Sequence, residues 1–204
     1  MCHALAWLAV SAGTLSSLFL AWSVRRHPEK MGVMNWVWPL VGLPGGPLAV
    51  WLYLRHRRPG PTPAWLSIAT ATCHCGAGCT LGDILSEGGL LLGGITLGLG
   101  AVWTIDTVVA FLLGIVFQYF SIAPMRGLGF RAGIIAAVKA DTLSLMAWQA
   151  GMIGMMAAVQ LGVARLESNS VEFWFAMQAA MLAGFAVSYP VNGWLLKSGL
   201  KEKM

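Results

Sequence analysis

Long apolar runs, separated by short basic or proline-rich connections, constrain the fold of this chain more than any other feature. Hydrophobic residues make up 57% of its 204 positions and charged residues 10%, whereas soluble domains carry about 25% charged residues. A helix of about 20 apolar residues crosses a bilayer core of about 30 Å. We therefore predict an all-α, polytopic membrane bundle with short loops and no soluble domain. It forms a single domain over residues 1–204, with spans at about 4–24, 32–54, 75–100, 103–122, 133–163 and 173–196.

The second predicted span contains an unusual number of helix-breaking residues. Pro39, Pro44 and Pro47 fall inside it, together with the pair Gly45-Gly46. Proline removes a backbone donor, and at membrane depth the freed backbone groups must be satisfied by neighbouring structure. The sequence therefore predicts a kinked or interrupted helix here.

Basic residues in the connections predict the orientation of the bundle. They act as topology determinants in short loops, so the net charge of +5 is not a signal for nucleic acid. Six spans place both termini on one side, which would then hold eight basic residues against four on the other. This majority predicts a multi-pass protein of the bacterial inner membrane with cytoplasmic termini. The first span argues the other way, because its only basic flank, Arg25-Arg26, is C-terminal.

Three thiols, one imidazole and two carboxylates are concentrated in residues 73–87, at the start of the third predicted span, while the fourth cysteine is Cys2. Positions spaced by four residues stack along one helix face, and a residue one step round can lean toward it. Soft thiolates beside an imidazole suit copper(I), and less well zinc. We predict a metal site whose ligands are His74, Cys75, Cys79, Asp83 and Glu87.

Polar side chains of other spans are expected to gather around this motif in the same half of the membrane. Ionisable groups at such depth are costly and usually mark a functional cavity. Asp106 falls outside the cluster, near the opposite surface, and Cys73 lies about 160° round the helix from the Cys75–Cys79 face. The expected supporting residues are Cys73, Gln118, Asp141, Gln149, Met152 and Asn192.

Each of these assignments has a plainer alternative. Buried cysteines also pack as small hydrophobic residues, and the carboxylates could pair with Lys139. The methionines of the last two spans could form a copper path or simply fill irregular gaps. Gly89, Gly93, Gly94 and Gly98 predict a close approach of another helix, as internal packing or as an oligomer contact.

Several segments extend the motif into a family resemblance. Residues 74–83, His-Cys-Gly-Ala-Gly-Cys-Thr-Leu-Gly-Asp, resemble the hallmark of an uncharacterised bacterial family of integral membrane proteins, known only as a domain of unknown function. The similarity continues through residues 114–120, 123–128, 139–145 and 189–192. The resemblance implies a membrane protein with an association to copper proteins, and it implies no established activity.

Three functions are compatible with these features. The first is an integral membrane carrier or handling protein for copper(I). Its expected partners are the lipid bilayer, a soluble metal chaperone or another membrane protein, and a second copy of the chain in a homo-oligomer. The second is a membrane oxidoreductase with a thiol or metal redox centre, although thiol pairs normally use Cys-x-x-Cys rather than the Cys-x-x-x-Cys present here. The third is a structural subunit of a membrane complex.

Overall fold

The computed structural model describes residues 3–201, and this part of the chain forms six α-helices and no strand. The prediction of an all-α bundle is thereby confirmed. The helices are α1 (His3–Arg26), α2 (Met34–His56), α3 (Ala64–Leu92), α4 (Leu99–Arg126), α5 (Phe130–Gly162) and α6 (Val171–Lys197).

Five of the helices, α1, α2, α4, α5 and α6, are long and apolar enough to cross a membrane. Large apolar side chains, including Leu8, Leu15 and Leu161, point outward from the bundle. Such an outer surface is stable against acyl chains and would be unfavourable in water. The chain is therefore a membrane protein. α3, which contains the polar motif, is the described helix that is not apolar enough to meet the criterion for a membrane crossing.

Helix α2 folds back on itself instead of crossing the bundle. Gly46 has φ +51° and ψ −135°, a non-helical conformation that separates residues 34–45 from residues 47–56. The rings of Trp38 and Tyr53 consequently lie 5.3 Å apart, although fifteen residues of straight helix would separate them by about 22 Å. Residues 34–56 therefore form a re-entrant hairpin, whose tip packs against Gly13 near the middle of α1. The predicted interruption of this span is confirmed.

The fold-back places the two ends of the described chain at opposite ends of the bundle. His3 Nδ1 and Glu172 Oε1, at the starts of α1 and α6, lie 2.6 Å apart. At the other end, Arg57 donates to the carbonyl of His27, and the Tyr189 hydroxyl donates to the carbonyl of Trp65. The two described ends, His3 and Lys201, therefore lie on opposite sides, because α2 enters and leaves the bundle at the same end and reverses every later helix. The prediction that the termini themselves are cytoplasmic stays a prediction.

Helix α3 is the centre of the bundle and packs against α2, α4, α5 and α6. It begins at Ala64, eleven residues before the predicted start of that span, because Pro63 ends the preceding loop and α2 finishes at His56. Residues 71–80 are all buried. Glycines allow this close packing: a Cβ on Gly78 would lie 2.7 Å from Gly114 Cα.

Candidate functional site

The motif lies in the middle of α3, not at one end of a span. Counted from Ala64, Cys75 is about 17 Å and Cys79 about 23 Å along the helix. Asp83 and Glu87 follow in the half of α3 that ends at Leu92. The side chains of Cys75 and Glu87 start about 18 Å apart along the axis, which is too far for one coordination sphere. Within residues 3–201, no group of three or more His, Cys, Asp and Glu side chains is placed to hold a metal ion.

Cys75 and Cys79 are brought together, as their spacing on one helix face predicts. Both side chains are fully buried and pack in the same cluster. Cys73 faces a different cluster, with residues of the hairpin such as Val41 and Leu52, in agreement with its expected direction. All three thiols are free. Cys2 lies outside the described residues.

The cysteine pair belongs to a buried hydrophobic cluster of twelve residues, of which four are methionines and six are alanine, leucine or aromatic residues. The methionines come from α5 and α6, and each is at most 6% exposed. Thioethers are polarizable soft donors, as are thiols. We call this group the sulfur cluster; its members are Cys75, Cys79, Met152, Met156, Met177 and Met181.

Asp83 borders a small cavity beneath the tip of the re-entrant hairpin. The cavity has a volume of about 80 Å³, and its walls include Pro44 of the tip and the sulfur-cluster residues Met177 and Met181. Asp83 is 1% exposed, and neither carboxyl oxygen has a hydrogen-bond partner. A buried polar group without a partner is costly, so such a group calls for a ligand or water.

His74 and two glutamines of the predicted cluster are also buried without hydrogen-bond partners. The His74 ring packs edge-on against Phe117 with a centroid distance of 6.2 Å, and neither ring nitrogen makes a hydrogen bond. Gln118 and Gln149 also leave both amide atoms without partners. These groups supply donors and acceptors inside the bundle that the described protein atoms do not use.

Glu87 and Asp106 lie together at the far end of α3. Ser168, in the loop between α5 and α6, donates to Glu87 Oε2 at 2.5 Å. Ser86 donates to Asp106 Oδ1 from the neighbouring position of α3. The expectation that Asp106 stands apart from the motif is therefore wrong, because α3 runs toward the end at which α4 begins. Glu87 also borders an open cavity of about 340 Å³.

Asp141 and Asn192 form a second polar centre, which includes a residue that the sequence did not indicate. Lys201 Nζ donates to Asp141 Oδ1 at 2.7 Å and to Asn192 Oδ1 at 2.9 Å. The Lys201 side chain is fully buried. The alternative partner considered for the carboxylates, Lys139, is exposed instead. Only the isolated position of Asp141 in an apolar span could have signalled a buried cation nearby.

Charges are distributed very unequally between the two ends of the bundle. One end, which we call the basic end, contains both ends of the hairpin, and the other, the acidic end, contains Glu87 and Glu172. Only Arg165 among the described lysines and arginines lies at the acidic end. The other eleven lie in the basic half: Arg25, Arg26, Lys30, Arg55, Arg57, Arg58, Arg126, Arg131, Lys139, Lys197 and Lys201.

Comparison with known proteins gives a family and no activity. No curated protein matches this chain, and no solved structure does. One family model, described as a domain of unknown function (DUF4396), matches residues 64–201. The match begins at the first residue of α3 and ends at Lys201, so it includes the cysteine pair, Asp83, Asp141 and the buried lysine. The chain belongs to this family of unknown function, as the sequence resemblance predicted.

Proposed function

We propose that this membrane protein carries or hands over a soft metal cation, with copper(I) favoured over zinc, through the sulfur cluster. The observation that carries the proposal is the burial of two thiols and four thioethers in one cluster inside a membrane bundle. Soft sulfur donors select copper(I), and two thiolates alone are enough for its linear coordination. The predicted ligands His74, Asp83 and Glu87 are therefore not required in one coordination sphere with Cys75 and Cys79.

The methionines extend from the acidic end toward the thiols at regular depths. Met156 and Met177 each lie six residues, about 9 Å, from that end of their helices. Met152 and Met181 lie ten residues, about 15 Å, from it. Cys79 lies about 20 Å from the end of α3. A cation entering at the acidic end would meet thioethers first and the stronger thiolate donors last.

Carboxyl groups along the same half of the bundle suit this direction of entry. Glu87 borders the open cavity at the acidic end, and Asp83 borders the cavity between Met177 and Met181. A carboxylate beside this route balances the charge of a monovalent cation in a medium of low dielectric constant. We assign Asp83 this role, with Glu87 as the residue nearest the entrance.

The distribution of basic residues supports a defined orientation. Lysine and arginine near the ends of the spans accumulate on the cytoplasmic side, and here eleven lie in the basic half of the bundle against one at the acidic end. We therefore place the basic end in the cytoplasm of a bacterial inner membrane. In this orientation the residues around His3 are outside and the residues around Lys201 are inside, and soft metal enters from outside.

Copper(I) titration of detergent-purified protein, under reducing anaerobic conditions and against a chelator of known affinity, tests the proposal. The wild-type protein should bind one copper(I) per chain. The Cys75→Ser/Cys79→Ser protein should bind at least about 100-fold more weakly, since even outer-sphere changes at metal sites cost 10- to 100-fold. Cys73→Ser, two residues away in another cluster, is the matched control and should bind as wild type does.

The same samples separate the competing functions. Unchanged affinity in the double variant would remove the sulfur cluster from consideration. A wild-type protein that binds no metal and gains two hydrogens on reduction would instead be a thiol oxidoreductase. Absence of both properties, with altered stability of the double variant, would leave a structural role for the cysteines.

A further inference from the structure

A lysine side chain from beyond the last helix occupies a fully buried oxygen site. Lys201 Nζ lies 2.7 Å from Asp141 Oδ1 and 2.9 Å from Asn192 Oδ1, and the side chains of Lys201 and Asp141 are both unexposed. Removing both charges from water costs several kcal/mol per ion, which only good geometry and further hydrogen bonds offset. The ammonium group is therefore held by a site built to accept a cation.

The oxygen donors are fixed by contacts that do not involve the lysine. Asn192 Nδ2 donates to Ser144 Oγ at 2.7 Å and to Ser188 Oγ at 2.9 Å. Asn192 Nδ2 also donates to the backbone carbonyl of Ser188 at 3.0 Å. Because a carbonyl can only accept, this bond assigns the amide orientation, and Asn192 Oδ1 faces the cation. The second oxygen of Asp141 has no hydrogen-bond partner. Helices α5 and α6 thus present a carboxylate and an amide oxygen to the space that the ammonium group fills.

The lysine arrives on a short turn rather than on a helix. α6 ends at Lys197, and Gly199, with φ +72°, reverses the chain. The backbone amides of Leu200 and Lys201 both donate to the carbonyl of Leu195. Ser198 adds bonds from its amide to the carbonyl of Trp194 and from its hydroxyl to the carbonyl of Leu195. A turn of four residues held by so few bonds can leave the bundle at much lower cost than a helix can. The occupant of the site is therefore tethered but exchangeable.

We propose that Asp141 and Asn192 form a binding site for a small monovalent cation, ammonium or alkali metal, and that Lys201 is its tethered internal occupant. A free cation that takes this place releases the turn at the basic end of the bundle. Carboxylate and amide oxygens are hard donors that disfavour copper(I). The site is thus independent of the sulfur cluster and does not depend on the proposed metal function.

Thermal unfolding of purified protein in different chloride salts tests this site. Lys201→Met keeps the length of the side chain and removes its charge. In choline chloride, whose cation is too large for the site, Tm of this variant should fall below that of wild type. Sodium, potassium or methylammonium should then raise Tm in a saturable manner, by about 5–10 °C at 100 times Kd. Wild type, whose site is already occupied, should respond much less.

Lys201→Met/Asp141→Asn is the matched control, because it removes both charges together. It should lose the cation response, and its Tm in choline chloride should exceed that of Lys201→Met alone. An equal response to small cations in Lys201→Met and wild type, or a response that survives in the double variant, would overturn the proposal. The order of sodium, potassium and methylammonium identifies the preferred cation.

If Lys201→Met does not fold, wild type itself provides the decisive measurement. An amine-selective acylating reagent should modify exposed Lys30, in the loop between α1 and α2, and exposed Lys197 in every salt. Lys201 should be protected in choline chloride and become progressively modified as sodium or potassium chloride replaces it. Protection of Lys201 that is the same in all three salts would refute exchange.

Discussion

Whether replacing Gly46 with alanine raises or lowers the free energy of unfolding distinguishes a re-entrant hairpin from a straight crossing at α2. In a straight helix, Gly46 would be an interior glycine, and replacing it with alanine would stabilise the protein by up to about 1 kcal/mol. In the observed fold, Gly46 has φ +51° and ψ −135°, a region that residues with a Cβ rarely occupy. Holding alanine there costs about 1–3 kcal/mol.

The cost at Gly46 is conformational rather than steric, which makes the magnitude interpretable. A Cβ built on Gly46 meets nothing nearer than the backbone nitrogen of Gly13, at 3.9 Å. Gly154→Ala is the matched control, because Gly154 lies in the interior of α5 with nothing within 4 Å of its Cβ position. That change should stabilise the protein by about 0.5–1 kcal/mol.

Reversible unfolding in mixed micelles of mild detergent and SDS measures both free energies of unfolding. We expect Gly46→Ala to fall below wild type and Gly154→Ala to rise above it, a separation of about 1.5–4 kcal/mol. If the two variants shift in the same stabilising direction, residues 34–56 form a continuous helix. The topology derived above, including the opposite placement of the two described ends, would then be wrong.

Two further outcomes test the packing of α3 and the orientation. Gly82→Ala should destabilise the protein by about 1–3 kcal/mol in the same unfolding assay, because its Cβ would lie 2.6 Å from Ala110 Cα; an effect below about 0.5 kcal/mol would contradict the close contact of α3 and α4. The orientation is tested in intact cells with variants in which serine replaces all four native cysteines and a single cysteine is introduced. A cysteine in place of Asn169 should react with an impermeant maleimide, and a cysteine in place of Arg58 should not. The reverse pattern would place the basic end outside.

Five of the described helices were predictable because each follows from a long apolar run, but the path of the chain was not. Hydropathy cannot separate a crossing of 23 residues from a hairpin of the same length, and α2 satisfies the criterion for a crossing. One backbone reversal at Gly46 then moves every later loop to the other side. The sequence did contain a signal, since Arg25-Arg26 opposed the predicted orientation, and the fold-back removes that conflict.

The spacing along one helix correctly predicted that Cys75 and Cys79 are neighbours. It could not predict contacts between residues that are far apart in the sequence. Residues four apart on a helix must be neighbours, so the contact of Cys75 with Cys79 follows from α3 alone. Gly89 and its neighbours meet no other described helix of this chain, and α3 and α4 approach most closely at Gly78 and Gly82 instead. An oligomer contact at Gly89 stays a prediction. Lys201 was interpreted as part of a basic tail, because no local pattern indicates that a turn returns its side chain to Asp141.

The polarity of α3 matches what the proposed metal function requires of a shielded helix. Of the six helices it is the one too polar to meet the criterion for a membrane crossing, yet the other elements enclose it, and the hairpin covers part of it. A helix with a purely structural role could be apolar here at lower cost, since each buried polar group without a partner costs about 1–3 kcal/mol. His74 and Asp83 are both in that condition. This free-energy cost is offset if a cation or water completes the hydrogen bonding of His74 and Asp83. The copper(I) proposal requires such a cation.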